Sequence, residues 1–191
     1  DDKNGYPMFK MDDIQSGFLF DDEVRYADVS RGLFEQFKIE KDDVFFNRVN
    51  SEEFVGRTGI FKLAVDAVFA SYLIRIRPKA SSRILPDYLN TFLDSSYGKR
   101  QIRKYARRAV NQANVNAEEL KQFKIFLLPI EEQKKIAALS NESWANYVQA
   151  QSLYSQAEQV LLEELGLEDF AAKGGEADGE LWSIVQLSEV K

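Results

Sequence analysis

Over residues 6–62 the apolar positions fall in short aromatic-rich runs, Phe18-Leu19-Phe20, Phe37-Lys38-Ile39 and Val44-Phe45-Phe46. Turn signals separate them: Gly5-Tyr6-Pro7, Ser16-Gly17 and Lys41-Asp42-Asp43. Runs of this length between such residues predict strands joined by turns. Gly56 and Gly59 bracket Arg57-Thr58, with Phe54-Val55 before and Ile60-Phe61 after. That pattern predicts a tight turn presenting Arg57 and Thr58 outward. Residues 67–77 alternate apolar and basic positions in their second half and predict a further strand, ending before Pro78.

The period then becomes helical. Pro86 suits a first turn, and Tyr88, Leu89, Phe92 and Leu93 recur three to four residues apart. A second helix is predicted from about Ser96 to Ala109. Residues 111–116 break the pattern, and Asn116 then reads as an N-cap with Glu119 as its capping-box partner. Residues 123–128 read as one more strand, stopped by Pro129. From Glu131, the residues Ile136, Leu139, Trp144, Tyr147, Tyr154, Val160, Leu161 and Leu165 recur at helical spacing, and no Pro or Gly intervenes before Gly166. One helix of roughly 34 residues, about 50 Å long, is predicted, with Gly166 as its stop. Its length suggests a coiled-coil arm whose interface includes Gln133, Ile136, Trp144, Tyr147, Gln151, Tyr154 and Leu161. Gly174-Gly175 and Gly179 mark a linker, and residues 181–187 read as a fresh strand.

The expected fold is therefore α+β. A small mixed or antiparallel sheet with packed helices occupies residues 1–129. The long spacer helix occupies 130–167, a linker 168–180, and the start of a second domain, or a strand completing the sheet, 181–191.

Composition narrows the chemistry. Of 191 residues, 45% are apolar and 29% charged, as in an ordinary globular domain. There is no cysteine and no histidine. That excludes disulfides, thiolate metal sites, cysteine nucleophiles and imidazole acid–base chemistry, and it fits a reducing compartment. The apolar runs are too short for a membrane span. The acidic, polar start reads as no signal peptide, and the absence of an initial Met suggests an excised or processed piece. Net charge is −6, yet residues 97–130 hold eight bases against two acids. Local field, rather than net charge, attracts a polyanion.

Adjacent carboxylates such as Asp12-Asp13, Asp42-Asp43 and Glu131-Glu132 read as surface charge, since neighbours on a strand point apart. Asp87 followed by Glu119 and Lys121 matches the pattern of a Mg²⁺-dependent nuclease, although Glu119 and Lys121 fall at a helix start. The segment 56–59 lacks the spacing of a phosphate-cradling loop. On a helix, Arg100, Arg103, Lys104 and Arg107 share one face, while Ile102, Tyr105 and Ala109 share another. A helix with such a cationic face can lie along a phosphate backbone. Arg48 and Asn50, after the strand ending at Phe46, and Gln112 and Asn114, after the basic run, carry side chains able to match base edges or phosphates.

The order of these blocks resembles a target recognition domain of a type I restriction-modification specificity subunit. The blocks are residues 41–48, 55–59 and 70–77, then Pro86-Asp87-Tyr88-Leu89, Gln112-Ala113-Asn114-Val115, and residues 126–137. Residues 181–190 resemble the strand that opens another such domain. Two departures stand out: Asp42-Asp43 replaces the family's usual Gly-Asp, and the usual first strand and glycine-rich turn are missing before residue 5. The resemblance implies a non-catalytic, cytoplasmic DNA-binding subunit without a cofactor or metal, reading one half of a split sequence. The long helix would pair with a like helix, from a second recognition domain or a second copy, and act as a ruler. Adenine methylation and ATP-driven cleavage would belong to methyltransferase and restriction subunits.

On this reading Arg48, Asn50, Arg57, Thr58 and Gln112 face bases, Lys99, Arg100, Arg103, Lys104, Arg107 and Arg108 hold phosphates, and Asn114 joins either set. Two other readings stay open: a helical protein-interaction scaffold that never touches DNA, and the nuclease.

Overall fold

The computed structural model describes residues 5–21, 24–109 and 112–166, with backbone alone at 108, 109 and 112. The linker and strand expected beyond residue 167 lie outside these residues. The chain divides into two compact units, Asp1–Asn141 and Glu142–Lys191. The first unit therefore runs past the boundary expected at 129 and takes in the first turns of the long helix.

In chain order the elements are β1 (Tyr6–Phe9), β2 (Ile14–Gln15), β3 (Phe18–Leu19), β4 (Arg25–Ala27), α1 (Arg31–Phe37), β5 (Val44–Asn47), β6 (Val49–Asn50), β7 (Thr58–Ile60), β8 (Val68–Phe69), β9 (Leu73–Ile76), α2 (Pro86–Asp94), α3 (Ser96–Tyr105), β10 (Arg107–Ala109), β11 (Gln112–Asn114), α4 (Ala117–Leu120) and α5 (Ile130–Glu164). Among the described residues the strands form a five-stranded sheet, β2-β3-β7-β5-β9, and two three-stranded sheets, β4-β1-β8 and β10-β11-β6. Pairing is antiparallel except β1 with β8 and β3 with β7, which are parallel. This is the mixed α+β class that the sequence suggests.

β5 is the centre. Val44, Phe45 and Phe46 are fully buried, and the strand pairs with β7 on one side and β9 on the other. A strand covered on both faces is apolar throughout rather than alternating. Phe45 packs with Phe9, Leu19, Phe61 and Leu73, while Phe46 packs with Val55, Ile102, Ala113 and Val115. α2 adds a third cluster, Tyr88, Leu89, Phe92 and Leu93, against which Ile136 of α5 packs. Lys62, its side chain buried, joins Asp42 at 2.7 Å and Asp87 at 2.8 Å, tying α2 to the turn before β5.

Five local expectations are overturned. Phe37-Lys38-Ile39 is the end of a helix: Ser30 caps α1, and Lys38 keeps only an isolated bridge to Val68. The tight turn at 56–59 lies earlier. Gly56 has φ +82° and a Cβ there would sit 2.6 Å from Ile102, whereas Gly59 lies inside β7 against the Phe18 backbone. Residues 67–77 form two strands, because the chain turns at 70–73, where Leu73 N–H donates to Ala70 O. The helix expected to reach Ala109 stops at Ala106, and residues 107–109 join a hairpin instead. Residues 123–128 lie in no helix and no sheet. Side chains satisfy their backbone: Gln101 bonds both Lys124 N–H and its carbonyl, and Tyr88 donates to Phe126 O.

Asp13 and Asp43, read as surface charge, are buried, while three further signals agree with the structure. Pro86 is in the first turn of α2, Asn116 and Glu119 form the capping box of α4, and Gly166, at φ +64°, follows α5. No helix among the described residues is long and apolar enough to cross a membrane.

Candidate nucleic-acid interface

α3 is built to show cations. Ser95 caps it, its Oγ accepting from Gly98 N–H at 3.3 Å. Ile102 turns inward to the Phe46 cluster. Helical spacing then leaves Arg100, Arg103 and Lys104 exposed. None of these three has a carboxylate partner among the described residues. Two neighbours differ: Lys99 pairs with Asp94 at 3.0 Å, and Arg107 Nε pairs with Glu119 Oε1 at 2.5 Å.

Between α3 and the loop 52–57 lies an open cleft of about 310 Å³. Val55, Ile102, Ala106 and Ala113 form an apolar floor, and Arg57, Lys99, Arg103, Glu52 and Glu53 form a charged rim. Arg57 Cζ lies over the Phe54 ring at 4.0 Å from its centroid, a cation–π shelf that restricts its guanidinium. A second opening shares Glu53, Arg57 and Lys99 and continues to Asp12, Gln15 and Asp94. The fold thus gathers Arg57, Lys99 and Arg103 around one trough, although 46 residues of sequence separate the first from the last.

Other candidates sit elsewhere. Thr58, expected to point outward, is buried and donates to Asn90 O at 3.4 Å; as part of β7 it faces the core. Arg48 is half-buried, with a buried Nε. Asn50 Oδ1 accepts from Ser51 N–H at 2.8 Å, and its Nδ2 faces Met11 Sδ at 3.5 Å. Asn114 is exposed on β11, directly opposite Arg107. Arg108 and Gln112 take backbone positions in the same hairpin, opposite Ala113 and Ala109.

The helix set also divides. Gln133 is fully buried, with its amide donating to Arg83 O at 3.0 Å and Leu128 O at 2.8 Å and accepting from Leu85 N–H at 2.9 Å. It fastens the start of α5 to its own unit and is not presented to another helix. Ile136 likewise packs on α2. Farther along, Trp144 and Tyr147 stack at 6.0 Å, Gln151 donates to the Tyr147 hydroxyl, and Tyr154 and Leu161 are exposed.

The nuclease residues have other engagements. Asp87 holds Lys62, Glu119 holds Arg107, and Lys121 pairs with Glu118 at 2.6 Å. Among the described residues no group of three or more acidic, histidine or cysteine side chains could hold a metal ion. Sequence reasoning missed the Phe54 shelf, Glu53 and the Arg107–Glu119 pair. The capping-box spacing located Glu119, but its second partner depends on a hairpin that the basic helical period concealed.

Residues 1–139 match the family model described as the type I restriction modification DNA specificity domain. The Methanocaldococcus jannaschii protein "Putative type I restriction enzyme MjaX specificity subunit" is 32% identical over 144 residues, covering 74% of this chain and 33% of the relative. The type I restriction enzyme EcoKI specificity subunit of Escherichia coli is 24% identical over 135 residues, covering 69% of this chain and 29% of that protein. The chain thus spans about a third of the length of the curated relatives it matches. A solved chain from work on complex assembly and conformational transition of the type I R-M system shares the fold, at TM-score 0.52 and 19% identity, covering 91% of this chain and 40% of that one. With the family model matched across most of its length, this chain belongs to the type I restriction-modification DNA specificity family.

Proposed function

We propose that the chain is the non-catalytic DNA-recognition part of a type I specificity subunit, reading one half of a divided double-stranded target in the cytoplasm. Methyltransferase and restriction subunits would carry the chemistry. The observation that carries this reading is the exposed row Arg100, Arg103 and Lys104, without carboxylate partners among the described residues, in a chain of net charge −6. Uncompensated cations on an acidic protein need a reason, and a polyanion drawn by their local field supplies one. Arg57 and Lys99 extend the positive edge along the trough. The helix residues Trp144, Tyr147, Gln151, Tyr154 and Leu161 serve pairing with a second copy or a second recognition domain.

The test is binding of a labelled mixed-sequence duplex between about 50 and about 200 mM salt. Arg100→Ala with Arg103→Ala should weaken binding to all sequences alike and reduce the salt slope by about two. Unchanged affinity and slope would overturn the reading.

A further inference from the structure

We infer that Arg107 and Asn114, side by side on the β10–β11 hairpin, read base edges rather than phosphates, and that Glu119 is the positioning residue that sets the Arg107 guanidinium for that task. This deepens the DNA reading and rests on it.

The hairpin register places Arg107 directly opposite Asn114. Ala113, the next residue back, is buried in the Phe46 cluster. Side chains alternate along a strand, so Asn114 takes the outer face, and both Arg107 and Asn114 are exposed. Cross-strand partners on one face lie close enough to act on neighbouring base pairs.

Glu119 fixes one of the two. Its Oε2 accepts from Asn116 N–H at 2.8 Å, and its own N–H donates to Asn116 Oδ1 at 2.9 Å. That reciprocal box leaves the largely buried carboxylate little freedom to follow a moving partner. Its Oε1 holds Arg107 Nε, so the arginine is the group that is fixed. With the pairing at Nε, the Nη groups are the remaining donors of a side chain that is 78% exposed. Two coplanar donors match O6 and N7 of guanine, and the amide of Asn114 matches N6 and N7 of adenine.

Charge points the same way. An arginine already paired with a carboxylate adds little net positive charge, so it releases few counterions when it meets a phosphate. Its value lies in direction. Arg100, Arg103 and Lys104, which have no such partner, are the better phosphate ligands.

The test is enrichment of duplexes from a randomised pool by the 191-residue chain, followed by sequencing. The wild type should enrich a motif. Arg107→Lys, which removes the fork but keeps the charge and leaves the capping box intact, should lower the preference for guanine at one position by about tenfold or more. Glu119→Gln keeps an acceptor for Asn116 N–H and should lower the preference at that same position, with an unchanged thermal midpoint. Asn114→Ala should loosen an adenine nearby. Arg103→Ala should reduce all binding and leave the motif as it was. A wild-type motif that Arg107→Lys and Asn114→Ala leave unmoved overturns the base-reading assignment while the DNA reading stands. A motif moved by Arg107→Lys and untouched by Glu119→Gln overturns the positioning role. A pool that the wild type does not enrich overturns the DNA reading and this inference together.

Discussion

Asp43 and Arg77 meet through two parallel bonds, Nε to Oδ1 at 2.6 Å and Nη2 to Oδ2 at 2.7 Å. Asp43 is 1% exposed, stands at the entry to β5 and also accepts from Glu40 N–H at 2.8 Å. Arg77 leaves the end of β9, so the fork closes the β5–β9 ladder at its edge. Hydrogen bonding to Asp43, against a smaller opposing effect of burial, raises the Arg77 guanidinium above its ordinary value. A cation raised in this way contributes stability at every pH below its unfolded value, so the pair holds across the whole neutral range. Arg77→Met leaves a buried carboxylate without its cation. The expected loss is about 2 kcal/mol, below the range for fully buried pairs because Arg77 is half exposed. Urea unfolding of the variant checks it.

Alkaline pH should act through Tyr88. Burial pushes its phenol above the ordinary value of 10.0, and its hydroxyl donates to Phe126 O at 2.6 Å. The unfolded phenol loses its proton first as pH rises. The stability tied to this group is therefore complete below pH 10.0 and lost from there up to the raised folded value. Tyr88→Phe should cost about 1 kcal/mol at neutral pH and make the fall above pH 10.0 shallower. Thermal midpoints measured across that window, with an equal slope in both proteins, would contradict this.

The legible parts of the fold are those whose signal is contained in a short window. Pro86 with four apolar residues at helical spacing marks α2, and Asn116 with Glu119 marks the start of α4. Asp42 also becomes intelligible: at φ +69° it occupies a left-handed position where the family's usual glycine is at ease, and an Asp tolerates it better than most residues. The illegible parts depend on partners far along the chain. Residues 123–128 have strand-like composition, but Gln101 and Tyr88 take the backbone groups that a neighbouring strand would need. Arg107 and Arg108 continue a helical charge period, yet the chain turns at Ala106 to pair with residues 112–114 and, through them, with β6. Thr58 looked like a turn residue because two glycines flank it. One of them makes the turn, and the other lets β7 pass close to Phe18.

Gln133 predicts where the first unit can be cut. Gln133→Leu leaves Leu85 N–H and two carbonyls without their partner, at an expected cost of about 3 kcal/mol. A chain ending at Pro129 loses this amide and Ile136 as well. It should melt about 10 °C below one ending at Asn141. Equal melting of the two by circular dichroism would show that the helix start is dispensable.

Along α5, Trp144, Tyr147, Gln151, Tyr154 and Leu161 follow a repeat of three and four residues, while Leu139, Leu153 and Val160 are exposed away from that row. If the first row pairs helices, Trp144→Ala with Tyr147→Ala should raise the dissociation constant of the assembled chain at least about tenfold with helix content unchanged. Sedimentation measures the shift, and a wild type that stays monomeric at high concentration would dismiss the pairing.

The amide cage around Gln133 also has a schedule. Leu85 N–H is synthesised 48 residues ahead of the carbonyl that will accept it. At roughly 5–20 residues per second, the wait is roughly 2–10 s. Until then Leu85 N–H and the carbonyl of Arg83 lack this partner, and the α2 cluster lacks the part of its cover that Ile136 supplies. The nascent globule must therefore hold these groups open while the sheet assembles, and it seals only when the first turns of the following helix emerge.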